Sequence, residues 1–79
     1  MSKLPLCSSR RIVSALKRLG FNEYLKSPGS HQALVREDAD GRKRVAIVPL
    51  GKKEIPRGML RSILEQANVS VEKFLKALK

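Results

Sequence analysis

The chain contains no tryptophan, one tyrosine, two phenylalanines, one cysteine and one histidine among its 79 residues. With Cys7 alone, neither an internal disulfide nor a multi-cysteine metal site can form, and a single thiol fits a reducing compartment. One histidine, His31, with no second nitrogen ligand nearby does not build a zinc or two-metal centre. No metal and no cofactor are therefore expected. Long hydrophobic runs are also missing. Leu4-Pro5-Leu6-Cys7 is too short for a signal-peptide core, and nothing approaches a membrane span. A single soluble domain over residues 1–79, in the cytoplasm, is the expectation.

Negative charge is the scarcest property of all. No acidic residue precedes Glu23, whereas Lys3, Arg10, Arg11, Lys17 and Arg18 do. Seventeen Lys and Arg against seven Asp and Glu leave a formal net charge of +10 and a pI near 10.5. Such an excess attracts nucleic acid, anionic membrane or an acidic protein. The membrane is the weakest of these, because the basic helix faces lack aromatic anchors. A hydrophobic content of 42% argues against general disorder. At this size roughly 60% of the unfolded surface is buried, so the core is small.

Periodicity divides the chain into six elements. Residues 8–19 read as an amphipathic helix, with Ile12, Val13, Leu16 and Leu19 on one face. Ser8 is its N-cap, Cys7 and Ile12 form a staple across the cap, and Gly20 is the stop. Three short strands follow, over Phe21–Lys26, His31–Glu37 and Lys43–Val48. In the third, Val45 and Ile47 alternate with Arg44 and Ala46. Pro28-Gly29 suits a type II turn, and Asp38-Ala39-Asp40-Gly41 reads as a hairpin turn. Pro56 opens a second helix carrying Leu60, Ile63, Leu64 and Ala67, which Asn68 closes. Ser70 caps a third, with Val71, Phe74, Leu75 and Leu78 on one side. The order α-β-β-β-α(-α) predicts an α+β domain, a three-stranded antiparallel sheet with helices packed on one face.

His31 directly follows a turn, which places it at the surface rather than in the core. A solvent-reachable imidazole among cations is a candidate for proton transfer on a phosphodiester. The competing reading is a surface residue that merely caps the turn. Ser30 has two readings as well, a phosphate or ring contact and simple turn chemistry. Lys26 and Arg44 are placed to face each other near His31 and clamp an RNA backbone, or to sit as solvated strand-edge charges. Lys52, Lys53 and Arg57, at a loop and a helix start, form a second RNA-contact patch. Tyr24 offers a base-stacking ring, with strand-face packing as the alternative.

The ordered series of these segments resembles the HicA (YcfA-like) toxins of toxin–antitoxin systems. It comprises Leu19-Gly20-Phe21, Gly29-Ser30-His31, the Val45-Ala46-Ile47-Val48-Pro49 strand, residues 53–64 from Lys53 through Pro56-Arg57-Gly58-Met59-Leu60, and Gln66-Ala67-Asn68-Val69-Ser70 with Phe74-Leu75. The resemblance runs from about Ser8 to Leu78. It implies a double-stranded-RNA-binding-like fold and an mRNA interferase activity in which His31 is catalytic. It also implies a HicB-type antitoxin that covers the His31 site and holds the toxin inactive. Two positions depart from the family pattern: Gln32 stands where a second histidine is common, and Met59 where threonine is. The first leaves one imidazole to carry the chemistry, as general base toward a ribose 2′-hydroxyl, with Lys26, another cation or water assisting the leaving group. The alternative function is a non-catalytic RNA-binding module on the same basic surface. Specific DNA binding by this chain alone is not expected, since no recognition-helix pattern is evident.

Overall fold

A computed structural model describes residues 4–24 and 29–79. Helix α1 (Ser9–Arg18) is followed by strands β1 (Asn22–Glu23), β2 (His31–Glu37) and β3 (Lys43–Pro49), then by α2 (Arg57–Ala67) and α3 (Val71–Leu78). The strands form one antiparallel sheet in the order β1-β2-β3. The α+β architecture is the expected one, and the chain reversals follow the expected local chemistry. Ser8 accepts from the Arg11 N–H at 3.2 Å and caps α1. Gly20, at φ 99°, takes the chain out of that helix in a conformation that residues with a side chain rarely adopt. Asn68 holds the left-handed position after α2 (φ 55°, ψ 44°), and Ser70 accepts from the Lys73 N–H to start α3.

Several boundaries differ from expectation, and β3 runs one residue further, to Pro49. Helix α1 is one residue shorter at each end, with Ser8 and Leu19 as its caps. Pro56 precedes α2 in an extended conformation rather than joining its first turn. Strand β1 keeps only Asn22 and Glu23, because Phe21 turns into the core. Of the expected first strand, residues 25 and 26 lie outside the described residues, as does Pro28 of the turn.

The sheet has an inner and an outer face, and their assignment on β3 reverses what its large residues suggest. Ala46 and Val48 are buried together with Leu34 of β2, whereas Val45 and Ile47 are each 43% exposed. Helices α1 and α2 pack over β3 from the inner side, and α3 packs against α1 and α2. The small side chain of Ala46 sits in that inner layer. The core comprises Ile12, Leu16, Phe21, Leu34, Val48, Leu60, Leu64 and Phe74 with their neighbours, and includes Leu4, Cys7 and Ile55. A bridge between Cys7 and Ile55, with the Ile55 N–H donating to the Cys7 carbonyl at 2.7 Å, draws the segment before α1 under the segment before α2. On α3, Phe74 is fully buried, Val71 and Leu78 pack against the core, and Leu75 is only half-buried.

At the far end of the β2–β3 hairpin, the Gly41 N–H donates to the Asp38 carbonyl at 2.9 Å and closes the turn. The Asp38 carboxylate accepts from Arg44 Nε at 2.6 Å, Arg36 Nη2 at 3.2 Å and Asn68 Nδ2 at 3.2 Å. That set ties the hairpin to the end of α2. The Arg44 hydrogen bond is the largest influence holding the Asp38 carboxyl below its ordinary range, with Asn68 and Arg36 adding to it against partial desolvation. Arg36 also lies over the Phe21 ring, its guanidinium carbon 4.7 Å from the centroid. Its Nη1 donates to the Leu19 carbonyl at the end of α1, while its buried Nε has no partner among the described residues.

Candidate functional site

His31 opens β2 and pairs with Pro49 at the end of β3, at the mouth of the hairpin opposite Asp38. Alternation from the buried Leu34 puts His31 on the outer face of the sheet, and it is exposed. Its backbone setting is tight. The Leu50 N–H donates to the Ser30 carbonyl at 2.7 Å, which extends the hairpin pairing past the last strand residues. Ser30 Oγ lies 3.3 Å from His31 Nδ1, a long hydrogen bond that orients the ring.

The segment after Pro49 is anchored from below by Ser9, a polar residue buried in the first turn of α1. Its hydroxyl donates to the Pro49 carbonyl at 2.6 Å and accepts from the Lys52 N–H at 3.0 Å. The Ser9 N–H in turn donates to the Lys52 carbonyl at 3.0 Å. Thus α1, the end of β3 and the Gly51-Lys52 loop form one braced unit beneath His31. Nothing in the sequence pattern singles out Ser9, because a serine beside an N-cap serine looks like helix-start chemistry.

Two grooves meet at this unit, and Leu50 and Lys52 line both. The first, about 670 Å³, runs between α1 and the inner edge of the hairpin. Arg10, Lys17, Lys52 and Lys53 line it together with Gln32 and a single acid, Glu23. Glu23 is paired with Lys17 at 3.2 Å, so the groove is net cationic. The second, about 660 Å³, holds Ser30 and His31 and runs between the outer side of β3 and α2. Ile47, Pro49, Met59, Ser62, Ile63 and Gln66 line its remaining length, and Lys52 is its one cation among the described residues.

The expected site residues therefore separate. Ser30, His31 and Lys52 come together in the second groove, and Lys53 lies in the adjoining first one. Arg44 is not near His31. Its register partner is Arg36, five residues along β2 from His31, a separation of roughly 16 Å at the usual strand rise. It also lies on the inner side of the sheet, bonded to Asp38. The expectation of a clamp beside His31 fails there because the strand alternation and the Asp38 carboxylate take Arg44 elsewhere. Lys26 lies outside the described residues. Arg57 opens α2 as expected, but its Nε donates to the Leu4 carbonyl at 2.6 Å, and it lines neither groove. Tyr24 is half exposed, its N–H donating to the Ala33 carbonyl. Among the described residues no three His, Cys, Asp or Glu side chains are grouped to hold a metal ion, and no helix is long and apolar enough to cross a membrane.

An exposed, oriented imidazole beside a cationic groove suits proton transfer next to a bound anion. The family model described as the HicA toxin of bacterial toxin–antitoxin systems matches residues 9–69, from the first turn of α1 to the residue after the Asn68 cap. The chain belongs to the HicA toxin family. It is accordingly the toxin of a toxin–antitoxin pair, and an antitoxin is its partner. The matched span includes Ser9, both strands of the long hairpin and all of α2, and so contains nearly every residue that lines the two grooves. No curated protein matches the chain.

Proposed function

We propose that this HicA family member is a metal-independent endoribonuclease of mRNA with His31 as its general base, and that an acidic HicB-type antitoxin inhibits it by covering His31. The observation that carries this reading is the exposed His31 ring at the hairpin mouth, held by Ser30 and bordered by Lys52 of the cationic groove.

RNA can supply its own nucleophile. In the tautomer that carries its proton on Nδ1, the ring donates to Ser30 Oγ, and Nε2 of the exposed side chain keeps its lone pair as an acceptor. His31 then removes the proton of a ribose 2′-hydroxyl, the 2′-oxygen bonds to the adjacent phosphorus, and the bond to the 5′-oxygen breaks. The departing oxygen takes its proton from water or a nearby lysine. Lys52 and Lys53 hold the phosphate and offset the charge that builds on it. A single acid–base group typically contributes roughly 10²- to 10⁴-fold. Association with RNA and with an acidic antitoxin is driven by the same +10 chain, so both weaken with salt.

The test is incubation of purified wild-type protein and His31→Ala with a long RNA, in parallel with Mg²⁺ and with EDTA. Wild type is expected to cleave, and His31→Ala to be at least about 100-fold slower while still shifting RNA on a gel. Equal cleavage by both proteins overturns the role of His31. A gel shift with intact RNA for wild type establishes a non-catalytic RNA-binding module instead, and cleavage abolished by EDTA overturns metal independence.

A further inference from the structure

The groove that holds His31 differs in kind from its neighbour. A path for a polyanionic backbone is lined by cations, as the α1 groove is. The groove between β3 and α2 has, among the described residues, Lys52 at its border, no acidic lining residue, and walls of Ile47, Pro49 and Met59. Ile47 is 43% and Met59 46% exposed, large apolar side chains left open to water. Met59, Ser62 and Gln66 recur at intervals of three and four on α2, so they form one stripe flanking the buried Leu60, Ile63, Leu64 and Ala67 stripe, and Ile63 lines the groove with them. The Ser62 hydroxyl donates to the Gly58 carbonyl at 3.1 Å and retains its acceptor capacity toward the groove. No hydrogen bond among the described residues occupies the Gln66 amide, which offers donors and an acceptor side by side.

From this arrangement we infer that the β3–α2 groove is a nucleobase site that selects the nucleotide beside the cleaved bond, with Ile47 and Met59 as its apolar walls and Gln66 as the reader of the base edge. The inference rests on the ribonuclease reading of His31 and adds a specificity site to it. Continuity of the two grooves supports RNA as the occupant. Lys52 lines both, so a phosphate held there leaves the attached base at the entrance to the more apolar groove, next to His31. A base offers flat apolar faces for aliphatic and thioether contact and a polar edge for the amide. Adenine is a better match than either pyrimidine, because it sets an acceptor beside a donor on two edges, N1/N6 and N7/N6, for a carboxamide to meet in two hydrogen bonds, where a pyrimidine does so only on its pairing edge.

Binding of short oligoribonucleotides of A, C, G or U, measured by fluorescence anisotropy on the His31→Ala background, tests this without turnover. The A oligomer is expected to bind about tenfold tighter than the C and U oligomers. His31→Ala/Gln66→Ala is expected to lose that preference while keeping the weaker binding common to all four. His31→Ala/Met59→Ala is expected to weaken all four by about fivefold or more. In wild-type His31 protein, Gln66→Ala is expected to redistribute cut sites on a mixed RNA. Gln66 is exposed and lies on a helix, so the variant retains the fold. Unchanged preference and affinity in both double variants overturn the base site while leaving the role of His31 intact. Cleavage that persists in His31→Ala defeats the underlying reading separately. If the two substitutions spare RNA binding but release a co-expressed HicB-type antitoxin, the groove serves a protein partner and the inference is wrong.

Discussion

Replacing Ser9 with alanine probes the brace beneath His31 without touching any groove-facing charge. The substitution removes one hydroxyl and keeps the Cβ, so the cavity term is small and the cost lies in hydrogen bonding. Two bonds are lost, to the Pro49 carbonyl at 2.6 Å and from the Lys52 N–H at 3.0 Å. A net contribution of about 1 kcal/mol each gives about 2 kcal/mol. The full penalty for two unsatisfied buried groups is not reached, because Lys52 is exposed and Pro49 only half-buried, so water reaches both. A 79-residue domain has a total stability of about 4–12 kcal/mol, so this one hydroxyl is a sizeable fraction of it. At this size 2 kcal/mol lowers the melting temperature by about 8–16 °C. Ser14→Ala, an exposed position on the same helix, supplies the reference for the change in helix propensity. Chemical denaturation of both variants, together with amide exchange at Lys52, measures the difference. If Ser9→Ala lies within about 0.5 kcal/mol of Ser14→Ala and the Lys52 amide keeps its protection, the brace as argued does not exist.

The carboxyl of Asp38 titrates below its ordinary value of 3.8 in the folded protein because Arg44, Asn68 and Arg36 favour its charged form. Its stabilising contribution is therefore complete above the unfolded value and is lost as pH falls through the lowered folded value. Stability measured from pH 5 downward is expected to decline below about pH 4, and Asp38→Asn is expected to be less stable at neutral pH with a flatter acid limb. An unchanged acid limb in Asp38→Asn would show that other carboxylates govern it. Burial raises the Cys7 thiol above its usual value, against a smaller opposite effect of Arg11, and the side chain is 1% exposed. The native protein at pH 7.5 is accordingly expected to react with a maleimide far more slowly than denatured protein does, whereas equal rates would mean that the Cys7–Ile55 bridge opens readily.

Much of the site's position follows from local pattern. A serine cap, an apolar helical stripe and a glycine stop delimit α1, and an Asp/Gly turn joins two strands whose lengths place His31 at the hairpin mouth. The face assignment of β3 was not legible. Val45 and Ile47 are the bulkier pair by sequence, but alternation has two equivalent phases, and a shift between them exchanges every side chain. The phase is decided by which residues meet the helices. Ala46 and Val48 line the inner layer, and the larger pair stays outside, where Ile47 becomes part of the His31 groove beside α2.

Arg44, Arg57 and Ser9 mark the same boundary between the two levels. As letters, Arg44 and Arg57 are basic residues in basic clusters, and Ser9 is one more helix-start hydroxyl. In the fold Arg44 is held by Asp38, Arg57 by the Leu4 carbonyl, and Ser9 joins segments 40 or more residues apart. Composition and periodicity alone determined the charge, the class of fold, the element order and the single imidazole, since each depends on residue type and on neighbours three or four positions away. Only tertiary structure decided which cations remain available to a ligand, which face of the sheet is open, and which residues surround His31. Those outcomes depend on partners distant in the chain, and short-range spacing carries no record of them.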